Sequence, residues 1–330
     1  MTRDTAPGWL FAALLPALVA DAVYAAEPLY VRNMSPLAGL LGFPSQRSAA
    51  TQPRGDWTVA LHGSLASHYV VDREGSEVLR FDGETGRLAL ELRYGLAERW
   101  DLQLELPWLR HSGGNLDSLI DSWHDLWGMT DGGRSNSPND LLEYRYADPA
   151  LQFALDDDTS GLGDASLSLS YALTRGEGIA SSLALGYKFA SGEEEDFLGS
   201  GAADAWLALR FSSGSIGSVP LGWHARAGYL RAGSSDLMGD RQERDLWFAG
   251  AALDWMFASR WSLLLQLDSH AAPLDSQLTA LGDPAVMLAL GVRWRFAPAW
   301  QVDFSFIEDA MVETAPDVTF QASVRYRPGE

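Results

Sequence analysis

The residues of this chain that could do chemistry gather in two places. The first is the stretch from residue 111 to 125, where His111 and Ser112 are followed by His124 and by Asp117, Asp121 and Asp125. A serine hydroxyl, an imidazole base and a third group to orient the base are the parts of an acyl-transfer nucleophile. Along an extended chain His111 and Ser112 point to opposite faces, which leaves Ser112 with His124 as the pair to weigh for lipid hydrolysis. The blander alternative is loop polarity around Gly113 and Gly114. The second place is a set of charges at alternate positions: Arg87, Glu91 and Arg93, then Asp101 and Glu105, then Arg293, Arg295, Asp303 and Arg325. Such a set makes either a salt-bridged ladder that stiffens a wall or a charged constriction that selects solutes. Zinc, calcium-loop, phosphate-loop and nucleotide spacings are all missing, so no metal and no cofactor is expected.

The elements that must position these charges repeat throughout the chain. In Leu88–Tyr94 and again in Trp100–Leu106, leucines alternate with charged or small residues, which places leucines on one face of a strand and charges on the other. The pattern predicts twelve strands, near 57–70, 84–95, 100–110, 163–174, 179–190, 202–212, 219–231, 244–257, 260–270, 284–297, 299–308 and 317–327. Short turns such as 95–99, 258–260 and 297–299 alternate with longer polar connections at 71–83, 111–162, 191–201, 232–243, 271–283 and 309–316. Trp100, Trp261 and Trp300 each open a strand just after a short turn, as in an aromatic girdle at a bilayer interface. The expected fold is an all-β, antiparallel transmembrane β-barrel of about twelve strands, with the charges turned toward its lumen.

Composition agrees. The 330 residues are 47% hydrophobic, yet downstream of the first residues no apolar run is long enough for a membrane-spanning helix, as expected when half of each strand faces a polar lumen. The net charge of −20 argues against a nucleic-acid partner. Residues 1–25 read as a cleaved export signal, with Arg3, an apolar core over 9–20 and a Val23-Tyr24-Ala25 cleavage site. The absence of cysteine fits export.

Two segments could fill the lumen. Residues 26–56 are too apolar for an ordinary tail and too broken by Pro and Gly for a strand, which leaves a periplasmic leader or a plug. Within the long loop, Leu116, Leu119, Ile120, Trp123 and Trp127 recur at helical spacing, predicting a short amphipathic helix over 115–128. The barrel itself is expected over 57–330.

The stretches Phe81–Thr85, Leu90–Leu96, Leu106–Trp108, His111–Gly114, Leu119–Leu126 and Asp131–Arg134, with Arg32-Asn33 and Ser35–Leu37, resemble a family of bacterial proteins catalogued as a domain of unknown function. The likeness spans most of the mature chain and implies an exported barrel without assigned activity or site residues. The Gly-Leu-Gly-Asp run at 161–164 also resembles outer-membrane proteins near aromatic-degradation operons and the long-chain fatty-acid transporters. The expectation is a passive channel or transporter for small solutes, hydrophobic ones included, in the outer membrane of a Gram-negative bacterium. Its expected partners are outer-membrane lipid, lipopolysaccharide and the barrel-assembly machinery, which would read the alternating last strand 318–326. A lipid-modifying enzyme and a structural or surface-binding barrel with a filled lumen are the alternatives.

Overall fold

Period-two alternation becomes a wall with two chemically distinct faces. The computed structural model describes residues 26–114, 140–175, 178–311 and 313–328. The expected export signal (1–25), the expected helix (115–128) and His124 lie outside the described residues. The strands are β1 (Trp57–Glu74), β2 (Glu77–Ala97), β3 (Trp100–Ser112), β4 (Glu143–Ala147), β5 (Gln152–Leu155), β6 (Thr159–Leu162), β7 (Ser166–Thr174), β8 (Ala180–Lys188), β9 (Asp204–Ser213), β10 (Leu221–Arg231), β11 (Asp245–Ala258), β12 (Trp261–His270), β13 (Ala285–Ala297), β14 (Trp300–Asp309) and β15 (Val318–Tyr326).

Every strand but β4, β5 and β6 belongs to the barrel, giving a closed antiparallel ring of twelve. β15 pairs back onto β1, with Leu61 opposite Val324. Closure leaves no free edge, as an apolar surrounding demands of any backbone that crosses it. The two faces are clearest on β13, where Arg293 is 0% exposed and Leu290 is 51% exposed. Exposed leucines, tryptophans and phenylalanines on the outside are what lipid requires, while the lumen takes the polar set.

One end of the barrel carries the short turns. At four of them the register slips by a bulge, between Gly95 and Ala97, Ala172 and Thr174, Met256 and Ala258, and Trp294 and Ala297. The extra residues bend the strand into the turn. Around this end run aromatic pairs: Trp100 with Tyr171 at 4.7 Å, Trp261 stacked on Trp294 at 5.4 Å, and Trp300 with Tyr326 at 4.6 Å between ring centroids. Exposed Trp108, Tyr229 and Trp247 mark a second level. From Trp100 to Trp108 a tilted strand climbs roughly 20 Å, close to the apolar band of about 25 Å in such barrels.

The other end differs from the sequence expectation in two ways. The predicted outer loop 71–83 is mostly strand, because β1 and β2 continue as a hairpin to Glu74 and Glu77. Beyond the membrane there is no lipid to impose apolar alternation, so the pattern fades while the pairing persists. The predicted loop 111–162 contains β4, β5 and β6. β4 pairs with the extension of β2 and with β5, and β6 pairs with the end of β3. The α-helix among the described residues is the single turn Thr279–Gly282.

Candidate functional site in the barrel lumen

The lumen is occupied by the chain's own N-terminal segment. Pro28, Pro36, Pro44 and Pro53 bar residues 26–56 from a strand or a long helix. Its backbone groups therefore need other partners. Side chains supply them. Gly42 N donates to Asp204 Oδ2 at 2.8 Å, Ala49 N to Ser212 Oγ at 2.9 Å and Gln52 N to Asp101 Oδ2 at 2.9 Å. Wall side chains donate in return. Arg93 Nη2 reaches Ala50 O at 2.8 Å, Arg293 Nη2 reaches Glu27 O at 2.6 Å, and Arg226 Nη1 reaches Pro44 O. Leu29, Tyr30, Val31, Leu37, Leu41 and Arg47 are buried.

Of the charges at alternate positions, Arg87, Glu91, Arg93, Asp101, Glu105, Arg293, Asp303 and Arg325 are buried on the inner face and Arg295 is not. Arg87 Nη2 bonds Glu105 Oε1 at 2.7 Å, Arg93 Nη2 bonds Asp101 Oδ2 at 2.8 Å, and Arg293 Nε bonds Asp303 Oδ1 at 2.7 Å. Arg295 sits half-buried near the short turns, with Nη1 3.5 Å from Met256 Sδ. Arg325 faces the lumen close to Gln301, whose amide oxygen accepts from Arg325 Nη1 at 2.8 Å.

Residues with no sequence signal complete the network. Arg47 of the N-terminal segment pairs with Glu91. Glu27 accepts from Arg93 through its carboxylate and from Arg293 through its carbonyl, joining the β2–β3 charges to those of β13 and β14. Asp254 on β11 adds a second carboxylate to Arg293 at 3.0 Å. Tyr30 donates to Glu105 at 3.0 Å and lies stacked on His62 at 3.9 Å between centroids. Asp254 was not singled out in the sequence, and nothing there paired it with Arg293 or paired Arg47 with Glu91.

Toward the other end the interior turns apolar. Leu37, Leu41 and Phe43 of the N-terminal segment pack with Trp206, Leu230, Leu246 and Phe248, and the layer continues into Phe81, Tyr144, Phe153 and Phe197 beneath the β4–β5 hairpin. Above it, a polar cluster ties four connections together. Arg241 Nη2 meets Asp148 Oδ2 at 2.6 Å. The Tyr146 hydroxyl lies 2.9 Å from Asp148 and 3.0 Å from Glu77. Gln277 N donates to Glu77 Oε1 at 3.1 Å. Burial pushes the Asp148 carboxyl up, but the amides of Ala150 and Leu151, the Tyr146 hydroxyl and Arg241 together hold it below the usual carboxylate range.

Of the candidate nucleophile groups, only His111 and Ser112 lie among the described residues, and they point apart. Ser112 is half-buried at the end of β3 while His111 is buried on the inner face, as alternation requires. His111 bonds Thr85 instead. Its Nε2 must donate to Phe197 O at 2.9 Å, so Nδ1 accepts from the Thr85 hydroxyl at 3.0 Å. That hydroxyl then accepts from His68 Nε2 at 3.1 Å. The assignment uses each hydrogen once and reads as a closed structural network. Asp164 of the Gly-Leu-Gly-Asp run is a loop organiser. Its carboxylate accepts from the amides of Ser191, Gly192 and Ser200.

Two interior cavities, between the N-terminal segment and the wall, measure about 30 and 20 Å³. Each has room for a water or two.

The structural likenesses are to outer-membrane channels. The chain superposes on the crystal structure of an outer-membrane channel from Pseudomonas putida F1 with a TM-score of 0.54 at 14% identity, covering 84% of this chain and 96% of that one. Weaker likenesses are to the NanC porin (TM-score 0.47, 10% identity, 81% and 98% covered) and to the toluene transporter TodX of P. putida (0.41, 13%, 92% and 96%). At these identities the likeness is one of fold. No curated protein matches the sequence. A family profile matches residues 11–327, and with the barrel those residues build, the chain belongs to the family described as protein of unknown function (DUF3187).

Proposed function

We propose that this protein is a gated outer-membrane transporter for small solutes, hydrophobic ones included, caught here with its lumen closed by residues 26–56. The observation that carries the reading is how that closure is made. From residue 27 to 53 the N-terminal segment is irregular, and it is held by side-chain hydrogen bonds at Gly42, Ala49 and Gln52 and by the buried Arg47–Glu91 and Glu27–Arg93 ion pairs, none of them a strand-pair bond. A lumen filled only to stiffen the wall would need no separate segment. The apolar layer around Phe43, Trp206 and Phe248 favours solutes with apolar bodies. In this reading residues 1–25 direct export and are removed, and the alternating β15 presents the barrel to the assembly machinery. Outer-membrane lipid and lipopolysaccharide then surround the exposed face.

Conductance in planar bilayers tests the proposal, with the full chain compared with one lacking residues 27–50. Rare openings in the full chain and steady conductance in the deletion are expected. Silence from a folded deletion protein would move the assignment to the filled structural barrel.

A further inference from the structure

The larger interior cavity has an unusual charge count. Arg32 and Arg47 of the N-terminal segment and Arg87, Lys188 and Arg210 of the wall line it. Among the described residues four carboxylates form ion pairs within 4 Å with four of these five cations. Glu105 lies 2.7 Å from Arg87 and 3.7 Å from Arg32, Glu91 pairs with Arg47, and Asp164 and Asp204 flank Lys188. Among the described residues Arg210 has no carboxylate within 4 Å; the carboxylate that acts on it is Asp101, which is paired with Arg93. Its hydrogen bond is to Ser170 Oγ at 3.4 Å, and its guanidinium carbon sits 5.7 Å from the centre of the Trp206 ring. Arg210 is buried, and a guanidinium does not shed its proton. A buried cation of this kind calls for a counter-charge. Arg47 adds a second demand, because its buried Nε has no hydrogen-bond partner.

We propose that this cavity is a binding site for one small monoanion, either a halide ion or a carboxylate head group of similar size. The volume of about 30 Å³ sets the size. The ligand would touch both the N-terminal segment, through Arg47, and the wall, through Arg210, so it would fasten the closed state. The site stands whether or not the lumen ever opens.

The test is the ³⁵Cl NMR line width of chloride added to the full chain in a halide-free detergent solution. Saturable excess broadening is expected, displaced by formate and untouched by gluconate at equal ionic strength. Arg210→Met should weaken chloride binding at least about tenfold, and Arg210→Lys should restore most of it. Displacement by formate but not benzoate assigns the site to free small ions. Displacement by both assigns it to the head group of a larger acid. Heat-modifiable gel mobility reports whether each variant keeps its barrel. Unsaturable broadening, or broadening equal in folded Arg210→Met and the parent, would overturn the proposal.

Discussion

The two halves of the barrel interior solve the same problem with opposite chemistry. Toward the short turns, Arg47, Glu91, Arg93, Asp101, Arg293 and Asp303 fill space with paired charges. Toward the long connections, Phe43, Trp206, Leu230, Leu246 and Phe248 fill it with apolar volume. Both halves are bridged by the same N-terminal segment, which contributes Glu27 and Arg47 to one and Leu37, Leu41 and Phe43 to the other. Paired charges specify one geometry strongly, because each partner lost leaves a buried charge behind. Apolar packing tolerates change so long as volume is kept. The charged half therefore fixes where the segment sits, and the apolar half is where a solute could take the place of a side chain.

Substitutions sharpen this contrast. Arg293→Met leaves Asp303 and Asp254 without their cation and should cost about 4 kcal/mol, read from the urea midpoint of the refolded barrel. Adding Asp303→Asn should recover part of that loss, since one of the two stranded charges is gone. In the apolar half, Phe248→Ala should cost about 3 kcal/mol, whereas the volume-conserving Leu230→Met should cost less than about 1.5 kcal/mol. Equal sensitivity of Arg293→Met and Leu230→Met would erase the distinction between the halves.

The cluster above the apolar half responds to acid. The Asp148 carboxyl is held below its ordinary value of 3.8, so its contribution is complete above that pH and is lost as the pH falls through the lower folded value. Limited proteolysis of the outer connections should be flat from pH 7 to 5 and accelerate below about pH 3.8. Asp148→Asn should show the faster cleavage at every pH. The smallest effect is expected outside the barrel, where Trp261→Ala removes one stacked girdle partner of Trp294 and should cost about 1 kcal/mol.

The barrel strands were legible because lipid enforces their alternation. The predicted 260–270 and 284–297 became Trp261–His270 and Ala285–Ala297. The inward position of Arg87, Glu91, Arg93, Asp101, Glu105, Arg293, Asp303 and Arg325 follows from the same period. Legibility ends where the period does. Gly83 and Gly86 interrupt the alternation of β2, and β4 to β6 are four or five residues each, too short to show one. The lodging of residues 26–56 was equally hidden. An irregular segment leaves no repeat, and Arg47 meets Glu91 across 44 positions of sequence. The sequence left a leader and a plug as equal readings; in the structure the segment bonds the inward-facing side chains of Asp204, Ser212 and Asp101.

The central claim is that the N-terminal segment must leave the lumen for solutes to pass. The chain has no cysteine, and the Ala49 amide lies 2.9 Å from Ser212 Oγ, so Ala49→Cys with Ser212→Cys offers a single bond between segment and wall. Uptake of small neutral solutes into proteoliposomes would be measured with that pair oxidised and then reduced. Uptake is expected to be lost on oxidation and to return on reduction. Equal uptake in both states, or none in either, would contradict it.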